Sequence, residues 1–125
     1  MNIWTRPGRF KPNPSKPLIL ALGNFDGLHL GHQQILKKVI SRAKARQGAA
    51  GIFSFFEHPQ RVLHDSREPA LLTSTQHRLF LFNELGIDLC FLVHFTKGFS
   101  KIEHENFVEK WLIGYLGPIE IHLGY

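Results

Sequence analysis

The feature that most constrains this chain is a glycine-rich turn, which joins a short apolar run to a segment with helical periodicity. The apolar run spans residues 18–22, and the turn reads Gly23-Asn24-Phe25-Asp26-Gly27-Leu28-His29-Leu30-Gly31-His32. Beyond the turn, apolar residues fall on one helix face: Ile35, Leu36, Val39, Ile40 and Ala43. A strand followed by such a turn leaves the first N–H groups of the helix unpaired, at the positive end of its dipole. This order of elements favours an anion-binding corner, suited to phosphate.

Glycines and histidines supply the chemistry of this corner. Gly23, Gly27 and Gly31 allow a ligand to approach the backbone closely. His29 and His32 are three residues apart, so both can lie over the first helical turn, and imidazole donates hydrogen bonds to phosphate oxygens. On spacing alone, the alternative is a tight strand-to-helix turn that binds no ligand, with histidines that only cap or pack.

The turn resembles a known signature. His29-Leu30-Gly31-His32 is similar to the H-x-G-H motif of nucleotidylyltransferases, and the Gly-Asn-Phe-Asp-Gly lead-in over residues 23–27 resembles the FAD synthetases. These form the adenylyltransferase half of bacterial bifunctional riboflavin kinase/FAD synthetases. The resemblance implies that His29 and His32 are catalytic. It also implies that ATP phosphates bind at Gly23, Asn24, Phe25, Asp26, Gly27 and Gly31.

Two polar residues of the turn have open roles. Asn24 either donates its amide to phosphate or holds the turn in shape. Asp26 is awkward beside phosphate: it accepts from loop amides in an Asx-type turn, which we prefer, or it helps to hold a metal ion. The metal ligands are not predicted.

The remainder of the chain predicts an α/β fold. Strands are expected over residues 18–22, 49–56, 88–95 and 119–123, and helices over about 31–47, 75–85 and 103–116. We expect Gly48 to cap the first helix, and the second helix to bury Leu79, Phe82 and Leu85 on one face. The segment 96–100 is expected to be a loop.

Alternating strands and helices with right-handed crossovers imply a parallel sheet with helices on both faces. We expect about four strands in the order 3-2-1-4, a Rossmann-like arrangement that the resemblance specifies as the nucleotidylyltransferase fold. The carboxyl ends of strands 1 and 4 then form the topological switch point where open α/β sheets bind ligands. The glycine-rich turn lies at this point.

The resemblance extends to the segments after the second and third predicted strands. The family commonly has Pro-His-Pro where this chain has Glu57-His58-Pro59, and Leu72-Thr73-Ser74 resembles the Leu-Thr-Ser of the family. The flavin-binding candidates that follow from the resemblance are His58, Pro59, Thr73, Phe95 and Phe99. The alternatives are a loop histidine held by proline geometry at His58, and core packing at Phe95 and Phe99.

The resemblance implies an FMN adenylyltransferase, which makes FAD and pyrophosphate from FMN and ATP with Mg²⁺ as helper. Its substrates ATP and FMN are the expected partners. The rivals are another H-x-G-H adenylyl- or cytidylyltransferase, acting for example on glycerol phosphate or phosphopantetheine, and a non-catalytic nucleotide- or flavin-binding remnant.

Composition bounds the remaining classes. The net charge of +5 favours anionic ligands, but the basic residues are scattered, and no motif favours a nucleic-acid partner. The single cysteine, Cys90, lies in an apolar run and is expected to be buried and inert. Together with the lack of an apolar stretch of transmembrane length, this predicts a cytoplasmic protein with no membrane partner.

We interpret residues 1–16, rich in proline, as an irregular N-terminal arm laid over the domain or disordered. Residues 17–125 are interpreted as an FAD synthetase-type nucleotidyltransferase domain that is incomplete at its C-terminus, so we do not expect these 125 residues alone to make FAD at a useful rate. By the resemblance, a Ser-Ser-Thr-x-x-Arg motif and a riboflavin kinase domain are expected to follow in the full-length protein.

Overall fold

Five parallel strands form one sheet in the computed structural model. They are β1 (Asn2–Trp4), β2 (Leu18–Leu22), β3 (Ala49–Phe55), β4 (Leu89–Val93) and β5 (Glu120–Leu123). Their spatial order is β1-β4-β3-β2-β5, and every pairing is parallel. The structure describes residues 1–25, 30–56, 75–94 and 96–124.

Helices connect these strands. α1 (Leu30–Ala45) follows β2, and α2 (Thr75–Leu85) precedes β4. Two short helices, α3 (Lys97–Ser100) and α4 (His104–Asn106), lead into a π-helix over Phe107–Leu116. A 3₁₀ turn over Pro7–Arg9 lies in the N-terminal arm.

The sheet has a hydrophobic core on each face. On one face, α1 and α2 pack through Leu36, Val39 and Phe82 against buried strand residues that include Cys90. Burial raises the pKa of the Cys90 thiol to about 12, so the thiol stays protonated at neutral pH, as expected of an inert core cysteine. On the other face, Leu112 and Leu116 of the π-helix pack against β2, β3 and β4. Helices on both faces bury all but one residue of each central strand, β2, β3 and β4, which explains their continuous apolar runs.

The predicted α/β class with a parallel sheet is confirmed. The four predicted strands lie in the expected order 3-2-1-4, here β4-β3-β2-β5, and α2 has the predicted bounds of Thr75–Leu85. The expected count of about four strands is one short. β1 adds a fifth strand at the edge, where Asn2, Ile3 and Trp4 pair with Leu89, Cys90 and Phe91 of β4.

The N-terminal arm was predicted to be irregular, but three of its residues form a strand of the sheet. A strand this short shows no periodicity in the sequence, and its partner β4 lies more than 80 residues further along the chain. The aromatic residues of the arm explain part of its attachment. The ring of Phe10 packs edge-to-face on Trp4 and on Phe91 of the sheet.

The end of α1 differs in detail from the prediction. The left-handed residue is Gln47, with φ of 54°, while Gly48 N–H donates to Ala43 O at 2.7 Å in a Schellman motif. Gly48 is required for a different reason. A Cβ on Gly48 would lie 2.1 Å from the carbonyl oxygen of Pro17, just before β2.

The segment 96–100, predicted to be a loop, contains α3. Thr96 caps this helix, because its Oγ1 accepts from the N–H of Phe99 at 2.9 Å. Within the described ranges, no helix is both long enough and apolar enough to cross a membrane.

Candidate functional site

The candidate site lies at the carboxyl ends of β2 and β5, where the order of strands reverses. β3 lies on one side of β2, and β5 on the other. The Gly23 N–H donates to Phe53 O of β3 at 3.1 Å, and the Gly124 N–H donates to Leu22 O of β2 at 2.8 Å. The chain therefore leaves β2 at the switch point, where the sequence places the glycine-rich turn.

Phe25 anchors the first part of the turn. It adopts a left-handed backbone conformation with φ of 55°, which is strained for a residue with a bulky side chain. Its ring is only 1 % exposed and contacts the rings of His32 and Phe82 edge-to-face, with centroids at 5.3 and 6.2 Å. Packing of the ring between α1 and α2 offsets this strain, so Phe25 fixes where the turn begins.

Asn24 is held by a buried arginine from α2. The Nη1 of Arg78 donates to the backbone O of Asn24 at 2.8 Å, to its Oδ1 at 3.0 Å, and to Ser54 Oγ at 3.0 Å. Its Nη2 donates to Phe55 O at 2.8 Å and to Thr75 Oγ1 at 3.3 Å. Arg78 is 1 % exposed, so these hydrogen bonds form away from bulk water. One guanidinium thus joins the ends of β2 and β3 to α2.

α1 supplies the helix start of the corner. It begins at Leu30, and no acidic residue lies in its first turn to oppose an anion. Gly31 is exposed there, whereas His32 is 4 % exposed and its ring packs against Phe25. The structure therefore brings together Gly23, Asn24, Phe25, Gly31 and His32 of the predicted ATP-binding and catalytic residues.

Phe99 belongs to an aromatic cluster on the other face of the sheet. Its ring contacts Phe55, Phe107 and Trp111 edge-to-face, with centroids between 5.2 and 5.7 Å. Core packing, the alternative kept for Phe99, is thus present, and the side chain is half-buried. At the ends of β3 and β4, the ring of Phe56 stacks on the ring of His94, with centroids 4.2 Å apart, and Phe56 packs against the core on the side of α1 and α2.

Several predicted site residues lie outside the described residues. These are His29, Asp26 and Gly27 of the turn, and the flavin-binding candidates His58, Pro59, Thr73 and Phe95. Across the ranges that the structure does describe, no group of three His, Cys, Asp or Glu side chains is arranged to hold a metal ion.

A groove of about 540 Å³ lies at the opposite end of the sheet. Its lining includes Trp4, Lys16 and Asp88, next to the amino ends of the strands, and none of the predicted site residues. The switch point is the better candidate, because open α/β sheets bind ligands at the carboxyl ends of their strands.

Sequence reasoning missed Arg78. A charged residue on a helix is normally assigned to the solvated face, and the predicted buried face contained only apolar residues. The available signal was spacing: Arg78 lies four residues before Phe82 and seven before Leu85, and therefore on the same face. Ser54, at the end of an apolar strand, was the second polar member of this buried group.

A parallel sheet covered by helices on both faces, with a histidine-bearing helix start at its switch point, defines a Rossmann-like α/β protein with a candidate nucleotide site. The sequence profile of the FAD synthetase family matches residues 11–125. The chain belongs to the FAD synthetase family.

Individual relatives agree with this assignment. Bifunctional riboflavin kinase/FMN adenylyltransferases of Bacillus subtilis and Listeria monocytogenes are 28% and 33% identical to this chain, over 88% and 76% of its length. The enzyme of Escherichia coli K12 with the same name is 28% identical over 82% of the chain. The matched part spans 35%, 31% and 33% of these three relatives, so the chain corresponds to about a third of their length.

A solved structure supports the fold. The crystal structure of a macrolide-efflux protein from Streptococcus pneumoniae is similar to this chain with a TM-score of 0.74 at 23% identity. The match covers 91% of this chain and 38% of that chain. At this level of identity the similarity concerns the fold alone.

Proposed function

We propose that this chain carries the ATP- and FMN-binding site of an FMN adenylyltransferase, which transfers AMP from ATP to FMN. The observation that carries the proposal is the family match over residues 11–125, which includes the glycine-rich turn at the switch point. The charge of +5 is compatible with two anionic substrates. As sequence analysis predicts, we place the reaction in the cytoplasm.

The reaction places most of its demands on positioning and electrostatics. A phosphate oxygen of FMN attacks the α-phosphorus of ATP, the bond from that phosphorus to the bridging oxygen breaks, and pyrophosphate leaves. The FMN phosphate is already an anion near neutral pH, so a protein base is not required. The protein must instead bring two anions together and stabilise charge on the α-phosphate and the leaving group.

The helix start and the histidines meet this demand in the proposal. Backbone N–H groups after Gly31 face the triphosphate at the positive end of α1, and they need no reorganisation during reaction. His32 and His29 donate to phosphate oxygens as charge develops. The packing of His32 against Phe25 supports this role, because a ring held by its neighbour keeps a fixed direction for its N–H donor.

Mg²⁺ enters the proposal with ATP. Mg²⁺ is commonly bound through substrate phosphates with one or two carboxylates, and when bound it would neutralise charge on the triphosphate.

FMN is placed on the side of β3 and β4 in this proposal. The flavin-binding candidates His58, Pro59, Thr73, Phe95 and Phe99 follow these strands or precede α2 in sequence. The half-buried ring of Phe99 supports this side, because aromatic rings offer the flat apolar contact that an isoalloxazine prefers.

The experiment is incubation of the purified chain, alone and extended through the expected Ser-Ser-Thr-x-x-Arg motif, with ATP, Mg²⁺ and FMN, followed by separation of flavins and measurement of released pyrophosphate. Equimolar FAD and pyrophosphate support the proposal. Glycerol phosphate and phosphopantetheine, supplied in place of FMN, test the rival transferases. ATP binding without pyrophosphate release by either protein favours the remnant. Binding of neither ATP nor FMN overturns the proposal.

A further inference from the structure

The guanidinium of Arg78 contacts the side-chain amide of Asn24 and determines how that amide is oriented. Nη1 of Arg78 lies 3.0 Å from Oδ1 of Asn24 and 2.8 Å from its backbone O. Arginine has only donors, so the atom that faces it must be the amide oxygen and not the amide nitrogen. Ser54 agrees with this orientation. Its Oγ accepts from Arg78 at 3.0 Å and donates to Oδ1 of Asn24 at 3.2 Å.

The fixed oxygen leaves the amide nitrogen of Asn24 as a directed donor. Nδ2 is buried, and it has no hydrogen-bond partner within the part of the chain that the structure describes. Leaving a buried donor unsatisfied is costly, and such groups call for a functional or structural explanation. Asn24 lies between Gly23 at the switch point and Phe25, which packs on His32 of α1.

We infer that Arg78 is a positioning residue of the nucleotide site: it holds Asn24 Oδ1 so that Nδ2 is presented to a phosphate of ATP. This inference rests on the proposed function. It also resolves the two roles left open for Asn24, because the oxygen holds the turn and the nitrogen serves the ligand. Arg78 itself acts through Asn24, because its side chain is buried.

Arg78 also makes contacts that do not involve Asn24, and removing one of them supplies a matched control for a purely structural role of Arg78. On the α2 side, Nη2 of Arg78 donates to Thr75 Oγ1 at 3.3 Å, and Thr75 Oγ1 donates to Phe56 O at 3.2 Å. Thr75→Val removes this arm with little change in shape and leaves the Asn24 side intact. Arg78→Lys keeps the positive charge, but a single ammonium cannot span both Asn24 and the carbonyl of Phe55.

The first measurement is binding of ATP with Mg²⁺, and of inorganic triphosphate, by calorimetry at a temperature where all variants are folded. We expect Arg78→Lys to bind both ligands at least tenfold more weakly, and Thr75→Val to stay within twofold of wild type despite a lower melting temperature. In an Asn24→Ala background, Arg78→Lys should cause no further loss, because the residue through which it acts is gone.

The second measurement does not need a ligand. With ¹⁵N-labelled asparagine, the side-chain NH₂ signals of the five asparagines are followed by NMR. The Asn24 pair should shift or broaden in Arg78→Lys and stay in place in Thr75→Val. In the wild type, this pair should shift when inorganic triphosphate is added.

The outcomes separate the inference from the proposed function. If the wild type binds ATP and Arg78→Lys binds it equally well, or Thr75→Val loses affinity as strongly as Arg78→Lys, the positioning role is wrong. An unchanged Asn24 NH₂ signal in Arg78→Lys also overturns it. If the wild type binds neither ATP nor inorganic triphosphate, the proposed site itself is wrong, and the phosphate role of Asn24 falls with it.

Discussion

The ring of Phe25 occupies the space that a side chain on Gly124 would need. A Cβ on Gly124 would lie 2.4 Å from Cε1 of Phe25, and a Cβ on Gly23 would lie 2.2 Å from the carbonyl oxygen of Gly124. The ends of β2 and β5 therefore approach each other closely at the switch point, and the ring of Phe25 fills the remaining space. This contact connects the stability of the domain to the shape of the turn.

Gly124→Ala should destabilise the domain. The Phe25 ring cannot move away easily, because it is packed against His32 and Phe82. Overpacking of this kind costs about 1–3 kcal/mol of the free energy of unfolding, measured by urea denaturation. The matched control is Gly98→Ala, where the new Cβ would meet only Thr96 Oγ1 at 3.7 Å, an ordinary contact. Equal stability of Gly124→Ala and wild type would contradict the tight packing.

Glu120→Gln should remove an acid-sensitive contribution to stability. The hydrogen bond from Arg42 of α1 holds the pKa of Glu120 at about 2, below its ordinary value of 4.5, and His122 adds a second contact at 3.2 Å. Because the folded-state pKa is the lower one, the stabilisation is present above pH 4.5 and is lost as pH falls toward 2. Melting temperatures of wild type and Glu120→Gln should therefore differ most near pH 6 and converge in acid.

The size of this difference should be a few degrees at most, because both side chains of the ion pair are partly exposed and salt screens them. Adding salt at pH 6 should bring the two melting curves closer together. Glu84→Gln, which changes an exposed carboxylate on α2, is the control. A constant difference between wild type and Glu120→Gln from pH 6 to pH 2 would show that the ion pair does not contribute.

Local sequence patterns predicted the central elements well because their side chains are buried on both faces. Continuous apolar runs specified β2 and β3, and the apolar periodicity of α1 places Leu36 and Val39 in the core, as observed. β1 has no such pattern, because three residues paired with a distant strand carry no periodic signal. Tertiary pairing determined that element, and local sequence could not.

The candidate site was predicted only in part, because local sequence shows the turn but not the tertiary contacts that support it. The glycine-rich turn is recognisable from its order of glycines and histidines, and the predicted strand order places it at the switch point. The support beneath it did not follow, because Arg78 and Ser54 become a polar network only when α2 packs across the ends of β2 and β3. Residues 107–116 were predicted to be helical, but the sequence did not predict that the helix is a π-helix. At its end, the N–H of Gly117 donates to the carbonyl of Leu112, five residues earlier.

His32→Phe separates the packing of His32 from its proposed chemistry. Phenylalanine can keep the edge-to-face contact with Phe25 but has no N–H donor. In the protein extended through the expected Ser-Ser-Thr-x-x-Arg motif, we expect the variant to fold and its turnover of FMN and ATP to fall about a hundredfold, with a smaller change in KM for ATP, by comparison with the loss of one oxyanion donor. Near-normal turnover with only a raised KM would restrict His32 to ground-state binding, and no change in either would make it a core residue.

Gly31→Ala should change stability and ATP binding in opposite directions. Gly31 is exposed in the first turn of α1, where alanine raises helix stability by up to about 1 kcal/mol. In the proposed site, phosphate approaches the backbone at this position, and a Cβ would stand in its way. Calorimetry should therefore show loss of ATP binding, while urea denaturation shows a fold at least as stable as wild type. Ser41→Ala, on the exposed side of the same helix, is the control that should gain stability and keep ATP affinity. Unchanged ATP affinity in Gly31→Ala would mean that the turn serves the fold alone and that phosphate binds elsewhere.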